Sequence, residues 1–170
     1  MEEIINRVAN SALVNFDLED YYHQGERITY DLKENLFNGL VLKEKDFRAF
    51  VSKNDWSVYK DKNVAIICSV DAIIPTWAYM LLITHLEPHA HTVVYGSLDH
   101  LEQYLFHQAL SKIDFEAFRD AKVIVKGCGR FPVPMFAYAE LTRLLKPIVA
   151  SLMYGEACSA VPVYKKPRKK

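Results

Sequence analysis

The sequence lacks net charge, long apolar runs and closely spaced cysteines. Its 21 Lys and Arg side chains balance 21 Asp and Glu side chains, which excludes a strong overall attraction to nucleic acid or anionic lipid. The longest nearly uncharged stretch, residues 73–86, is shorter than the roughly 20 residues that cross a bilayer, and it contains Pro75 and His85. We therefore predict no membrane association and no specific nucleic-acid partner.

The three cysteines, Cys68, Cys128 and Cys158, are too few and too widely spaced for a disulfide framework. Residues 1–7 carry acidic side chains where a secretory signal has a basic start, so we expect no export signal. Both features predict a cytoplasmic protein whose thiols are free, reactive or metal-bound.

Several catalytic motifs are also missing. The chain has no Gly-x-Ser-x-Gly elbow, no phosphate-binding Gly-Lys-Ser loop and no His-Glu-x-x-His helix. A cysteine phosphatase loop needs an arginine six residues after its cysteine, but those positions hold Ile74, Pro134 and Tyr164. The segment 127–129 begins like a dinucleotide fingerprint, yet Pro132 stands at the third glycine position. We therefore predict no nucleotide cofactor.

The composition is that of a globular domain. Apolar residues make up 51% of the chain and charged residues 25%, and a chain of this length buries roughly 70% of its unfolded surface in one core. We predict a single α/β domain over residues 1–160 and a basic, disordered tail over residues 161–170. We find no internal sequence repeat that would force a second domain.

The first third of the chain alternates apolar and polar residues. This period-two pattern covers residues 12–18 and 28–32, and a turn at Asn38-Gly39 follows. These signals predict half-buried antiparallel strands at the N-terminal side of the fold.

Buried strands and helices alternate in the rest of the chain. Continuous apolar runs predict strands at 64–68, 92–96 and 122–127. Asp71 is predicted to cap the first intervening helix, and a last helical pattern runs from about Pro134 through Leu152 to Gly155. This alternation predicts a three-layer α/β domain with a mainly parallel central sheet and an N-terminal antiparallel strand addition.

Two of the cysteines are predicted to lie at the ligand-binding edge of this sheet. Cys68 and Cys128 each end a predicted central strand, and parallel α/β sheets bind ligands beyond the carboxyl ends of their strands. Cys158 follows the last predicted helix and reaches that edge only if the tail folds back. Lys126 and Arg130 favour the thiolate form of Cys128.

Three hypotheses follow from the thiols. In the first, a cytoplasmic accessory factor binds zinc, iron or an iron–sulfur cluster through Cys68, Cys128 and Cys158, with Asp71 and Glu156 as the nearest further ligands. In the second, a non-catalytic protein-interaction module or homo-oligomer has inert buried thiols. The third is a thiol enzyme with Cys128 as its nucleophile. No Cys-x-x-Cys pair is present to decide between them.

Five segments carry a resemblance to a known family. They are Glu-Ile-Ile-Asn-Arg-Val-Ala-Asn at 3–10, Phe-Asp-Leu-Glu-Asp-Tyr-Tyr at 16–22, Asp-Ala-Ile-Ile-Pro-Thr-Trp-Ala-Tyr-Met at 71–80, Lys-Gly-Cys at 126–128 and Gly-Glu-Ala-Cys-Ser at 155–159. Through them the chain resembles the bacterial domain-of-unknown-function family twenty-four-eighty over nearly its whole length. The resemblance brings no catalytic residues. It implies genes close to those for sulfur mobilisation and iron–sulfur cluster assembly, and hence iron–sulfur assembly proteins as partners.

Overall fold

The structure is a computed structural model that describes residues 13–167. These residues form seven strands, four α-helices and four short 3₁₀ helices. The strands are β1 (Leu13–Asp17), β2 (Arg27–Asp31), β3 (Asn63–Ile67), β4 (Thr92–Tyr95), β5 (Lys122–Lys126), β6 (Ser151–Tyr154) and β7 (Val161–Lys165). The α-helices are α1 (Glu44–Lys53), α2 (Thr76–Leu86), α3 (Leu98–Ser111) and α4 (Met135–Leu145). The 3₁₀ helices are Leu18–Tyr21, Leu32–Asn35, Trp56–Tyr59 and Phe115–Phe118.

The strands form two sheets, and the chain divides into two compact units. The continuous unit, His23–Leu105, contains a sheet of order β2-β3-β4. The split unit consists of the residues up to Tyr22 and those from Phe106 onward, and contains a sheet of order β1-β5-β6-β7. Every neighbouring pair of strands is parallel except β6–β7. The predicted mainly parallel α/β class is confirmed, while a single domain over 1–160 stays a prediction.

Helices pack on each sheet through apolar side chains, and in the continuous unit Ala65 also packs with Leu101 and Leu105 of α3 on the second face of the sheet. In the split unit the buried cluster is formed by Phe16, Leu18, Phe106, Leu110, Val123, Val125, Ala137, Leu141, Leu145, Val149 and Leu152. In the continuous unit it is formed by Tyr30, Leu32, Leu42, Phe47, Val51, Trp56, Val64, Ile66, Ala78, Leu82 and Leu86. These apolar faces hold the helices on the strands because their burial removes a large apolar area from water.

The two units repeat one pattern of residues. Residues 47–96 align without a gap onto residues 106–155. Identical residues at aligned positions include the pairs Phe47/Phe106, Asp61/Asp120, Pro75/Pro134, Ala78/Ala137, Tyr79/Tyr138, Leu82/Leu141, Pro88/Pro147, Tyr95/Tyr154 and Gly96/Gly155. This repeat is hard to recognise in the sequence alone, because identical residues this scattered do not form a recognisable motif. The expectation that no internal repeat forces a second domain stays a prediction.

The backbone repeats as well. Asp61 and Asp120 both adopt positive φ, at 59° and 57°. The strand before each repeat also matches, since Asp17 and Asp31 each follow a strand core and accept a hydrogen bond from the backbone two residues on, at 3.0 and 3.1 Å. Each unit is thus one strand followed by one copy of the repeat.

Several local predictions need correction. β1 and β2 are parallel to their neighbours, so the antiparallel addition is β7 at the C-terminal end rather than an N-terminal pair. α2 begins after Pro75 with no side-chain cap, so Asp71 does not cap it. Ala12 of the first predicted strand lies outside the described residues.

The C-terminal region differs most from its prediction. α4 ends at Leu145, two residues before Pro147, and Leu152 lies in β6 instead of in a continued helix. Residues 161–165 form β7, where a disordered tail was predicted, because Tyr164 packs on the core of the split unit. No helix within residues 13–167 is long and apolar enough to cross a membrane.

Candidate thiol site

The strand register brings two of the three cysteines to one edge of the split unit. β5 and β6 are parallel neighbours with Val125 opposite Tyr154, so the chain leaves both strands at the same level. Cys128 lies in the loop after β5 and Cys158 in the segment after β6, and both thiols are exposed. The prediction that the thiols are buried is therefore wrong for these two.

Cys68 lies in the continuous unit, directly after β3. It is partly buried, and its thiol donates a hydrogen bond to the carbonyl of Val70 at 3.4 Å. Asp71 is exposed in the loop that follows. The convergence of Cys68 with Cys128 and Cys158 stays a prediction.

The loop that carries Cys128 is held by the carboxylate of Glu19. This side chain is buried, and it accepts hydrogen bonds from the backbone N–H groups of Gly129 and of Arg130, the latter at 2.9 Å. The Arg130 N–H, followed by the Gly129 N–H, holds the pKa of Glu19 below its usual value. These two backbone donors, which in a phosphate-binding loop would face the ligand, are engaged with a carboxylate of the protein itself.

Glycine is required on both sides of Cys128. Tyr138 donates a hydrogen bond to the Gly127 carbonyl at 2.7 Å, and a Cβ at Gly127 would lie 2.7 Å from the Tyr138 hydroxyl. A Cβ at Gly129 would lie 2.9 Å from Glu19 Oε1. The two glycines therefore let the loop pack against Tyr138 and Glu19 while the side chain of Cys128 between them stays exposed.

Cys128 borders two adjoining clefts. The larger, of about 620 Å³, lies between the loop, α4 and strands β5 to β7, and its lining is mainly apolar: Val125, Phe131, Val133, Met135, Leu152, Met153 and Val163, with Tyr138 and Thr142. The smaller, of about 260 Å³, is bordered by four charged residues, Asp17, Glu19, Lys126 and Glu156. Gly127, Cys128 and Tyr154 line both clefts.

Two tyrosines lie beside the thiol. Tyr154 donates its hydroxyl to Cys128 Sγ at 3.6 Å, and this hydrogen bond, followed by the charge of Cys128, raises the pKa of Tyr154. Tyr138 contacts the Tyr154 ring edge-on with centroids 5.9 Å apart, and burial is the main cause that raises its pKa to about 12. Both hydroxyls therefore remain protonated at neutral pH, when Tyr154 can act as a hydrogen-bond donor to a thiolate.

The smaller cleft contains an ion pair close to Cys158. Lys126 Nζ lies 2.6 Å from Glu156 Oε2, and this hydrogen bond is the largest cause that raises the pKa of Lys126; the negative charge of Cys158 adds to it. Glu156, a predicted metal ligand, is thus engaged by a lysine. Within residues 13–167 no group of three or more His, Cys, Asp or Glu side chains is arranged to hold a metal ion.

The repeat shows which features of the site are specific to the split unit. The tyrosine pair recurs in the continuous unit, where Tyr79 and Tyr95 meet edge-on at 5.0 Å. In contrast, the positions of Cys128, Glu19 and Met135 correspond to Ser69, Lys33 and Thr76. The tyrosines therefore belong to the shared scaffold, whereas the exposed thiol and its Glu19 anchor do not.

Fold and site together define an α/β protein with an exposed thiol that lines both a large apolar cleft and a smaller cleft bordered by charged residues. A family model described as "Protein of unknown function (DUF2480)" matches residues 2–166, so the chain belongs to this family and the resemblance seen in the sequence is confirmed. No curated protein and no solved structure matches the chain. The bacterial origin, the cytoplasmic location and the iron–sulfur assembly partners stay predictions.

Proposed function

We propose that this protein performs thiol-dependent chemistry in which Cys128 is the nucleophile and the apolar cleft holds the ligand. The observation that carries the proposal is the position of the Cys128 thiol. It is exposed, it lines a cleft of about 620 Å³, and a tyrosine hydroxyl donates to its sulfur. An accessible thiol with a hydrogen-bond donor and an adjacent ligand-sized cleft is the arrangement that nucleophilic cysteines use.

The surrounding residues have separate roles in this proposal. The thiolate is the reactive form of cysteine, and the Tyr154 hydroxyl stabilises it by donating a hydrogen bond. Glu19 fixes the loop by binding two consecutive backbone N–H groups, which keeps the sulfur at the mouth of the cleft. Met135 and Val163 offer apolar surface to the body of a ligand.

Cysteine labelling tests the nucleophilic role. Under limiting iodoacetamide at neutral pH, peptide mass spectrometry is expected to find Cys128 alkylated faster than Cys68. Tyr154→Phe removes the hydroxyl donor, so we expect Cys128 labelling to slow by about 3- to 10-fold. Tyr95→Phe, at the equivalent position of the continuous unit, is the matched control and leaves the Cys128 rate unchanged. Equal rates in the two variants would contradict the role of Tyr154, and no preferential labelling of Cys128 would contradict the proposal.

The apolar cleft predicts a preference among electrophiles. N-Phenylmaleimide and N-methylmaleimide carry the same reactive group but differ in the size of their apolar substituent. The apolar cleft beside Cys128 can bind the phenyl ring. We expect the phenyl-to-methyl rate ratio to be larger at Cys128 than at Cys158, since the large cleft is lined by Cys128 and not by Cys158. Equal ratios at the two cysteines would show that the cleft takes no part in ligand selection.

A thiolate-bound zinc ion, iron ion or iron–sulfur species is the second candidate. It is favoured by the position of Cys128 and Glu156 in one small cleft, with Cys158 two residues beyond Glu156. Within residues 13–167 these side chains are not arranged as a group of three or more metal ligands, so binding would require them to move closer together. A three-thiolate site would also need Cys68. Protein purified without oxygen should be assayed for iron, zinc, labile sulfide and visible absorption. This candidate would be excluded if iron, zinc and labile sulfide were each present at well below one equivalent per chain and if these amounts were the same in Cys128→Ser.

A further inference from the structure

We propose that Cys158 is the resolving thiol for Cys128, so that the two together reduce a disulfide substrate. This inference rests on the proposed nucleophilic role of Cys128 and adds to it a second residue and a substrate class. Both thiols are free and exposed, and both belong to the split unit.

The geometry of the sheet carries the pairing. Hydrogen bonding between β5 and β6 continues to their ends, where the Gly155 N–H donates to the Val125 carbonyl at 3.0 Å. From that level, Cys128 is three residues beyond Val125, and Cys158 is three residues beyond Gly155. Neighbouring parallel strands lie about 4.8 Å apart, so both segments start within reach of each other.

Side-chain contacts keep the segment that carries Cys158 beside the loop that carries Cys128. The Lys126–Glu156 ion pair joins the end of β5 to the residue after Gly155. A backbone hydrogen bond from Ser159 to Glu156, at 2.9 Å, then turns the chain at Cys158. Cys158 is close enough to the Lys126 ammonium for their charges to interact. Lys126 is also two residues before Cys128 in the chain, so one side chain links the two cysteine-bearing segments.

The chemistry is a pair of thiol–disulfide exchanges. The Cys128 thiolate attacks one sulfur of a substrate R–S–S–R, which forms a Cys128–S–S–R bond and releases one RS⁻. The Cys158 thiolate then attacks the Cys128 sulfur, which forms a Cys128–Cys158 disulfide and releases the second RS⁻. The substrate gains two electrons and the two cysteines lose them. An external thiol reductant restores the dithiol.

The cleft defines the substrate class. Because Cys128 opens onto a mainly apolar cleft, the group R that stays on Cys128 in the mixed disulfide is expected to be apolar or aromatic. The smaller cleft also borders Cys128 and includes Gly155 and Glu156, which begin the segment that carries Cys158. We expect Cys158 to approach the Cys128 sulfur from this cleft.

Intact mass spectrometry in a Cys68→Ser background tests the proposal with a neutral aromatic disulfide, 4,4′-dithiodipyridine. One equivalent of the reagent is expected to release two equivalents of thiopyridone and to leave a protein lighter by two hydrogens, with no adduct. Cys68→Ser/Cys158→Ser is expected to release one equivalent and keep the thiopyridyl adduct on Cys128. Circular dichroism checks that both variants remain folded, and peptide mapping locates the disulfide.

The possible results separate the two proposals. A persistent adduct on Cys128 in the Cys68→Ser protein overturns the resolving role of Cys158 but leaves the nucleophilic role of Cys128 intact. An adduct on Cys158 with Cys128 unmodified overturns both. Loss of two hydrogens without adduct, together with a mapped Cys128–Cys158 bond, supports the pair, because a disulfide requires the two Cα atoms to come within about 7 Å.

Discussion

Glu19 connects the turn after β1 to the loop that presents the thiol. Its carboxylate accepts two backbone N–H groups of that loop. Glu19→Gln keeps the shape but loses the charge, so only weaker hydrogen bonds remain. We expect the midpoint of thermal unfolding at pH 7 to fall by about 3 °C. We also expect the rate of Cys128 alkylation to change, because the loop is held less firmly. Glu87→Gln, an exposed carboxylate at the end of α2, is the control and leaves both unchanged.

The same carboxylate predicts a dependence of stability on pH. The pKa of Glu19 is lowered in the folded protein, so the stability it contributes is complete above its unfolded pKa, near 4.5, and is lost as the pH falls through the lower folded value. The difference in unfolding temperature between wild type and Glu19→Gln should therefore be constant from pH 7 to about pH 5 and shrink below pH 4. A difference that grows on acidification would contradict this assignment.

Gly127 offers a steric test of the same loop. A methyl group there would lie 2.7 Å from the Tyr138 hydroxyl and 3.0 Å from Leu18 Cβ. We expect Gly127→Ala to lower the free energy of unfolding by about 2–3 kcal/mol in urea titrations, because packed neighbours must move. Gly39→Ala is the control, since its φ is also positive, at 70°, but its Cβ would meet nothing within 4 Å. Its cost should be only about 1 kcal/mol.

Only part of the site could be predicted from the sequence. Cys128 was found because a cysteine after a buried strand predicts a position at the ligand edge. Glu19 and Tyr154 were missed, because their contacts with the loop join segments far apart in the chain. The aligned pairs Tyr79/Tyr138 and Tyr95/Tyr154 were the available signal for the tyrosines. Nothing local marks Glu19, whose role depends on the tertiary fold.

Helices α2 and α4 occupy equivalent places in the two units, which allows a matched experiment. Leu82 and Leu141 align and are both fully buried. Each Leu→Ala substitution should lower the free energy of unfolding by about 2–5 kcal/mol, because it leaves a cavity in a core. Met80 is exposed and aligns with Ala139, so Met80→Ala should change the free energy of unfolding by less than about 0.5 kcal/mol. Urea unfolding monitored by circular dichroism provides these values, and a cost below 1 kcal/mol at either leucine would contradict the described packing.

The elements were predicted best where one kind of pattern dominates. The buried apolar parts of β3 and β5, residues 64–66 and 123–125, are runs of Val, Ile and Ala on both faces of the strand, and these apolar runs predict the strands well. β6 was missed because Leu144, Leu145, Ile148 and Leu152 continue a helical spacing past Pro147. Strand partners were not predictable, since β1 and β2 are neighbours in sequence yet join different sheets. Sheet pairing depends on contacts between distant segments, which a local pattern does not contain.

At the scale of the whole molecule, the balance of charges predicts the pH at which the protein is least soluble. The formal net charge is zero at pH 7 and the sequence pI is about 7.0. Molecules without net charge repel one another least, so solubility in polyethylene glycol titrations should be lowest near pH 7 and rise at pH 5 and pH 9. A minimum displaced by two or more pH units would indicate that charged groups are strongly perturbed in the fold.

The order of strands along the chain has a consequence for synthesis. Among the strands within residues 13–167, β1 pairs with β5 alone, and the whole continuous unit is encoded between them. During synthesis, β1 therefore leaves the ribosome well before β5, and its backbone hydrogen-bonding groups lack their partner strand in the meantime. The continuous unit can form its sheet during that interval, because all of its strands have already been made. A nascent chain that stalls before β5 carries that open edge into the cell, where it can pair with other chains and aggregate. Early truncations should accordingly be less soluble than chains that extend through β7.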